Sequence, residues 1–165
     1  MVFLAGIIAC NQKYKTEQVT AIETQVISDV VTIDEVPPPP PNLASDFKNI
    51  QEWLTSICKT EKPDINITDF RLGLFESPND NTIFLVGINN YDNDDGSETR
   101  FKLKPANMYF PLPQSEFSDM NHTQLLDKLT EQLRAFTTTE TFRNSFLAAA
   151  KRITFDANGK VIWPK

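Results

Sequence analysis

Ile83-Phe84-Leu85-Val86-Gly87-Ile88 presents six consecutive positions without a polar side chain. A strand shows alternate residues to opposite faces, so an unbroken apolar run buries both and reads as a central strand. Strand-like segments flank it: Asn66 to Phe75 before, Ser97 to Lys104 and a short Asn107 to Leu112 after, with the run itself belonging to Thr82 to Tyr91. Ser77-Pro78-Asn79-Asp80-Asn81 and Asp92-Asn93-Asp94-Asp95-Gly96 are turn compositions, and Asp95-Gly96 is a hairpin signal, so these strands are expected to pair antiparallel. Phe101 and Leu103 alternate with Lys102 and Lys104, the pattern of a strand near an edge with one wet face.

Working outward, residues 45 to 59 place Phe47, Ile50, Leu54, Ile57 and Cys58 on one helical face beside Trp53, with Ser45 or Asp46 as the starting cap. Cys58 falls on the core side and reads as a buried, unactivated thiol. A second helix is expected from His122 to Ala135 on the stripe Leu125, Leu126, Leu129 and Leu133. A third is expected from Glu140 to Ala150, with Thr137 and Glu140 forming a capping box. Ile153-Thr154-Phe155, the turn Asp156-Ala157-Asn158-Gly159 and Val161-Ile162-Trp163 make a terminal hairpin. Helix, strands, helices and hairpin without βαβ alternation predict an α+β fold: an antiparallel sheet with helices packed on one face and a terminal β-hairpin.

The 165 residues allow one domain with a tail, and 40% hydrophobic content with twelve Phe is enough to fill one core. A formal net charge of −6 and the lack of a Lys/Arg cluster exclude an electrostatic grip on nucleic acid.

At the N-terminus, Val2 to Ala9 is uncharged and mostly apolar and leads directly into Cys10. It is too short to span a bilayer, which takes about 20 apolar residues. Ile7-Ile8-Ala9-Cys10 resembles the lipobox of bacterial lipoproteins, whose cysteine is acylated and becomes the new N-terminus. The basic leader of a full signal peptide would then lie upstream of Met1. The resemblance implies a chain anchored to a membrane through lipid on Cys10. Asn11, standing where inner-membrane lipoproteins carry Asp, implies outer-membrane retention facing the periplasm.

Residues 11 to 42 read as an acidic, proline-rich tether. Glu17, Glu23, Asp29, Asp34 and Glu35 recur, and Pro37 to Pro41 close the segment with a run that favours stiff polyproline II and holds the domain off the membrane. Fully extended, residues 11 to 41 would reach on the order of 100 Å. Val19, Ile22, Val26, Val30 and Ile33 show a rough helical period, but β-branched residues are middling helix formers. The domain is assigned to 43–165, with 1–10 the signal remnant.

Chemical vocabulary is sparse. Asp92, Asp94, Asp95 and Glu98 form the one cluster that suggests contact with an ion or a partner, yet an EF-hand count with Gly96 sixth puts Lys102 where Glu belongs, which favours a solvated turn. A single histidine, His122, and five glycines leave no zinc set, no nucleophile elbow and no phosphate loop. No metal and no cofactor are expected. The reading is a non-enzymatic protein-binding module of the bacterial envelope, such as an immunity or inhibitor lipoprotein. Its contacts are sought in the loops 92–98 and 156–159 with Tyr91, Tyr109 or Trp163 as anchors. The rivals are an envelope hydrolase using two carboxylates and a small-ligand or Ca²⁺-binding lipoprotein.

Overall fold

The central run is β2, Thr82–Ile88, and its placement organises the sheet. In the computed structural model, β1 (Asp69–Phe75) lies antiparallel along one side of it, while β3 (Phe101–Leu103) and β4 (Tyr109–Pro111) follow one another along the other side. The terminal hairpin of β5 (Arg152–Phe155) and β6 (Lys160–Trp163) adds to the far side of β1, giving the order β3-β2-β1-β5-β6 with β4 also on β2. The structure describes residues 36–63, 67–77, 80–88 and 101–164, all within one compact unit, Val31–Lys165.

The fold is α+β. One pairing departs from the antiparallel sheet expected above: β5 runs parallel to β1, with Phe70 opposite Ile153 and Leu72 opposite Phe155. The cause is the connection. After β4 the chain crosses the sheet through α2 (Gln114–Phe117), α3 (His122–Phe136), α4 (Glu140–Arg143) and a 3-10 turn, Phe146–Ala149, before re-entering beside β1 in the same direction. A parallel neighbour needs such a crossover, whereas a hairpin can join only antiparallel strands.

Local chemistry fixes the helix ends and corrects two expectations. Helix α1 is Ile50–Thr60 and starts at Asn49, whose side chain accepts a hydrogen bond from the Glu52 amide at 2.9 Å. Ser45 instead accepts from the amide of Phe47 in a local turn, so the start falls later than Ser45 or Asp46. Helix α3 begins as expected, with Asn121 and Gln124 forming a reciprocal capping box. The third helix is only one turn, capped by Thr139 and not Thr137. The Thr137 hydroxyl donates to the Arg134 carbonyl at the end of α3, and Asn144 and Ser145 interrupt the chain before the 3-10 turn.

The register places Phe70, Leu72, Ile83, Leu85, Phe110, Ile153 and Phe155 on one face. That face joins Trp53 and Ile57 of α1, Leu129 and Leu133 of α3 and Phe142 of α4 in a single buried cluster. Trp53 is fully buried, stacks on Phe110 at 5.8 Å and donates its indole N–H to the Asn107 carbonyl at 2.7 Å. The residual gap within this core is about 10 Å³, at the lower limit for one water and too small for a ligand. Val86 and Ile88 are also buried but point to the opposite face, outside this cluster.

Candidate functional site

Among the described residues no helix lies on that opposite face, and its composition changes across the sheet. Gly73 stands opposite Phe84 in the β1–β2 register. A Cβ on Gly73 would sit 2.1 Å from Cζ of Phe84, so the phenyl ring lies directly over the bare backbone of β1. Phe75 packs against Phe84 with ring centroids 5.2 Å apart, and Tyr109, the partner of Phe84 on β4, lies 6.3 Å from Phe75. Three aromatic rings thus form a platform, extended by Thr82 and Pro111 in the next register row.

The proline run, placed in the tether by sequence, lies against this platform. Prolines 38 to 41 border a cleft of about 410 Å³ whose other wall includes Phe75, Thr82 and Pro111. Val36 and Pro39 are half-buried while Pro37, Pro38, Pro40 and Pro41 are exposed. A spacing of three is the period of polyproline II, the conformation a proline run favours, and these two positions are the less exposed ones. Proline carbonyls retain acceptor capacity that no local N–H can fill, and the phenol of Tyr109 donates to the Pro37 carbonyl. Burial pushes the Tyr109 phenol above its usual range, so it stays a protonated donor throughout the neutral range. Asn42, at φ +61°, then turns the chain away toward α1; Asn tolerates that left-handed conformation better than most residues.

The rim of the cleft is acidic and polar. Glu76 and Asp80 border it. Glu76 pairs with His122 at 3.0 Å, and Asp80 accepts from the Gln114 amide at 3.4 Å. Ser77 ties the turn by donating to the Asp80 carbonyl and accepting from the Asp80 amide. Beyond Ser77 a second opening of about 390 Å³ lies between Asn81, Gln114, Ser118 and Met120. Toward β5 the same sheet face is charged: Arg71 Nε donates to Asp156 at 2.6 Å, and Arg152 pairs with Asp69 at 3.2 Å.

Of the residues singled out from sequence, Tyr109 belongs to this site. Trp163 packs edge-on against Phe142 beside the core, and Asp156 is held by Arg71. Cys58 is a free, half-buried thiol whose pKa burial raises, with a hydrogen bond to Ser145 opposing. Asp92, Asp94, Asp95 and Glu98, Tyr91 and Cys10 lie outside the described residues. Sequence reasoning missed Gly73, Phe75 and Phe84. The available signal was the apolar pattern of β2 itself, since a strand that is apolar on both faces needs cover on both.

Among the described residues no three His, Cys, Asp or Glu side chains converge on a metal-sized point, and no helix is long and apolar enough to cross a membrane. No protein-family model matches the chain, and neither a curated protein nor a solved structure matches it.

Proposed function

We propose that this chain is a non-enzymatic protein-binding module of the bacterial envelope, held to the outer membrane by lipid on Cys10 and presenting the sheet face that carries Phe75, Phe84 and Tyr109 to a partner. The observation that supports the binding role is the platform of Phe75, Phe84 and Tyr109 with a cleft beside it. An aromatic platform beside a groove with a polar rim is the composition of protein-recognition surfaces. Immunity or inhibitor action is one form of this role. A paired-carboxylate hydrolase fits less well: Glu76 and Asp80, the acids at the cleft, are both exposed, and each is engaged elsewhere, by His122 and by the Gln114 amide.

The test is affinity capture from envelope extract with the full chain, run beside Phe75→Ala and Tyr109→Phe. A stoichiometric partner that is lost or weakened with both variants supports the reading. A partner indifferent to both, or background alone, argues against this face. The anchor is tested separately by incorporation of labelled palmitate in cells: wild type takes up label and Cys10→Ser does not. Equal labelling of the two would refute the assignment of Cys10.

A further inference from the structure

We propose that the aromatic platform is a polyproline II binding site, occupied in cis by Pro37–Pro41, and that the partner enters by presenting an extended proline-rich segment with basic flanks that displaces this latch. The inference rests on the protein-binding reading above and names the chemistry of the partner.

The occupant already in place defines what the site recognises. Its contacts are of the kind that hold polyproline segments in aromatic grooves: Val36 and Pro39 half-buried at a spacing of three, the ring of Phe75 bordering the same cleft, and the phenol of Tyr109 donating to the Pro37 carbonyl. The bare backbone at Gly73 is part of the device, because any side chain there would lift Phe84 and tilt the platform. The stiffness of the run makes it a good ligand, since little conformational freedom is lost on contact.

The latch is also built to be displaced. Four of its five prolines are exposed, and Asn42 supplies a turn about which the run can swing. Residues 36 to 47 contain no Lys or Arg, although the cleft is rimmed by Glu76 and Asp80. A partner segment carrying Lys or Arg beside its prolines would gain contacts that the latch cannot make. A ligand shifts such an equilibrium only through this kind of differential affinity.

The test is titration of synthetic peptides onto the isotopically labelled full chain, with Cys10→Ser in every sample. The probe is the peptide of residues 33–43, and its control replaces all five prolines by serine. The recipient is wild type or a chain with Pro37 to Pro41 all changed to glycine. The proline peptide is expected to bind the glycine chain at least about tenfold tighter than wild type, given a cis competitor at millimolar effective concentration. Amide shifts are expected to centre on Phe75, Phe84 and Tyr109. Tyr109→Phe in the same background is expected to weaken binding roughly three- to tenfold.

Equal affinity for the two chains, equal binding of the serine peptide, or no binding to the glycine chain at 1 mM peptide, a ceiling set at about that effective concentration, overturns the proposal. Should the glycine chain lose its dispersed amide spectrum, Pro39→Gly alone carries the same test, with an expected ratio of about threefold from the one inward-facing proline. Concentration-dependent dimerisation of wild type without response to peptide would place the proline run of a second copy in the cleft, and would equally overturn the partner assignment. Failure of the peptides leaves a captured partner sensitive to Phe75→Ala standing, so the two readings fall separately.

Discussion

Replacing Gly73 by alanine tests the packing on which the aromatic platform depends. The backbone at Gly73 lacks the positive φ found at Gly159, so an L residue is conformationally acceptable there. On that ground alone alanine would stabilise the chain by about 0.4–1 kcal/mol through the unfolded state. Against this, the new Cβ would lie 2.1 Å from Cζ and 2.4 Å from Cε1 of Phe84, well inside contact distance, and forcing a ring out of a packed site costs about 1–3 kcal/mol. The clash wins. Gly73→Ala should destabilise by about 1–2 kcal/mol, a loss of about 4–8 °C in Tm for a unit of this size. Phe84→Ala removes the obstacle, so in that background the same alanine should be neutral or mildly stabilising. The double-mutant coupling should then be about 1–3 kcal/mol. Urea unfolding followed by the fluorescence of Trp53 and Trp163 reads all four chains. A Gly73→Ala effect of the same sign and size in both backgrounds would refute the argument that Phe84 occupies the space above Gly73.

Three further outcomes follow from the fold. Trp53→Phe should cost about 1–3 kcal/mol, because it leaves the Asn107 carbonyl without its indole donor while keeping most of the stacking on Phe110; an unchanged urea midpoint would contradict this. Cys58 should alkylate with iodoacetamide at pH 7.5 at least about tenfold more slowly in the native chain than in guanidinium, since burial holds its thiol above the ordinary range and the thiolate is the nucleophile. Stability should fall as pH rises past about 9. Cys58 and Tyr109 both keep their protons to higher pH when folded, so the unfolded chain binds fewer protons in that range and the slope of unfolding free energy with pH is negative. Below about pH 8 these two groups should add no slope, and Tyr109→Phe should remove the part nearest pH 10 if the urea midpoint is followed from pH 7 to 10.5.

The parts legible in the sequence are those that local pattern encodes. The Leu125-Leu126-Leu129-Leu133 stripe marks a helix from His122, and the Asp156 to Gly159 turn between two short apolar runs marks the terminal hairpin. Pairing of β5 with β1 was not legible, because parallel partnership is decided by where a crossover of several short helices delivers the chain, and no residue in Ile153-Thr154-Phe155 marks its direction. The early end of α4 is not legible for a related reason. Phe142, Phe146 and Ala149 keep helical spacing, but Asn144 and Ser145 favour local side-chain bonding over helix continuation, and the Ser145 hydroxyl donates to the Phe142 carbonyl. At the candidate site, the proline run looked like a spacer because polyproline II carries no internal hydrogen bonds and no apolar periodicity by which to recognise a docked segment. The platform it lies against is set by register alone: Gly73 opposite Phe84, Phe84 beside Tyr109.

That register also sets which partner segments can compete. The latch joins α1 through Asn42 to Lys48 before the Asn49 cap, a connection of seven residues, and so short a link keeps its effective concentration in the millimolar range. A free segment of identical chemistry therefore meets an occupied platform unless it too is millimolar. A successful partner must add binding free energy of its own, about 1.4 kcal/mol for each tenfold gain. The chemistry for that gain is at the rim, where Glu76 is shared with a single exposed histidine and Asp80 with an amide. Exposed charge pairs weaken as salt rises, whereas the proline contacts of the latch involve no net charge. A proline peptide with flanking lysines should accordingly bind wild type more tightly than the peptide of residues 33–43. It should also lose roughly that advantage between about 20 mM and 500 mM NaCl, as the Debye length shrinks from about 20 Å to about 4 Å. The amide signals of Phe75 and Tyr109 in the unliganded chain should stay where they are over the same range. If the lysine peptide gained nothing at low salt, Glu76 and Asp80 would have no part in choosing the partner.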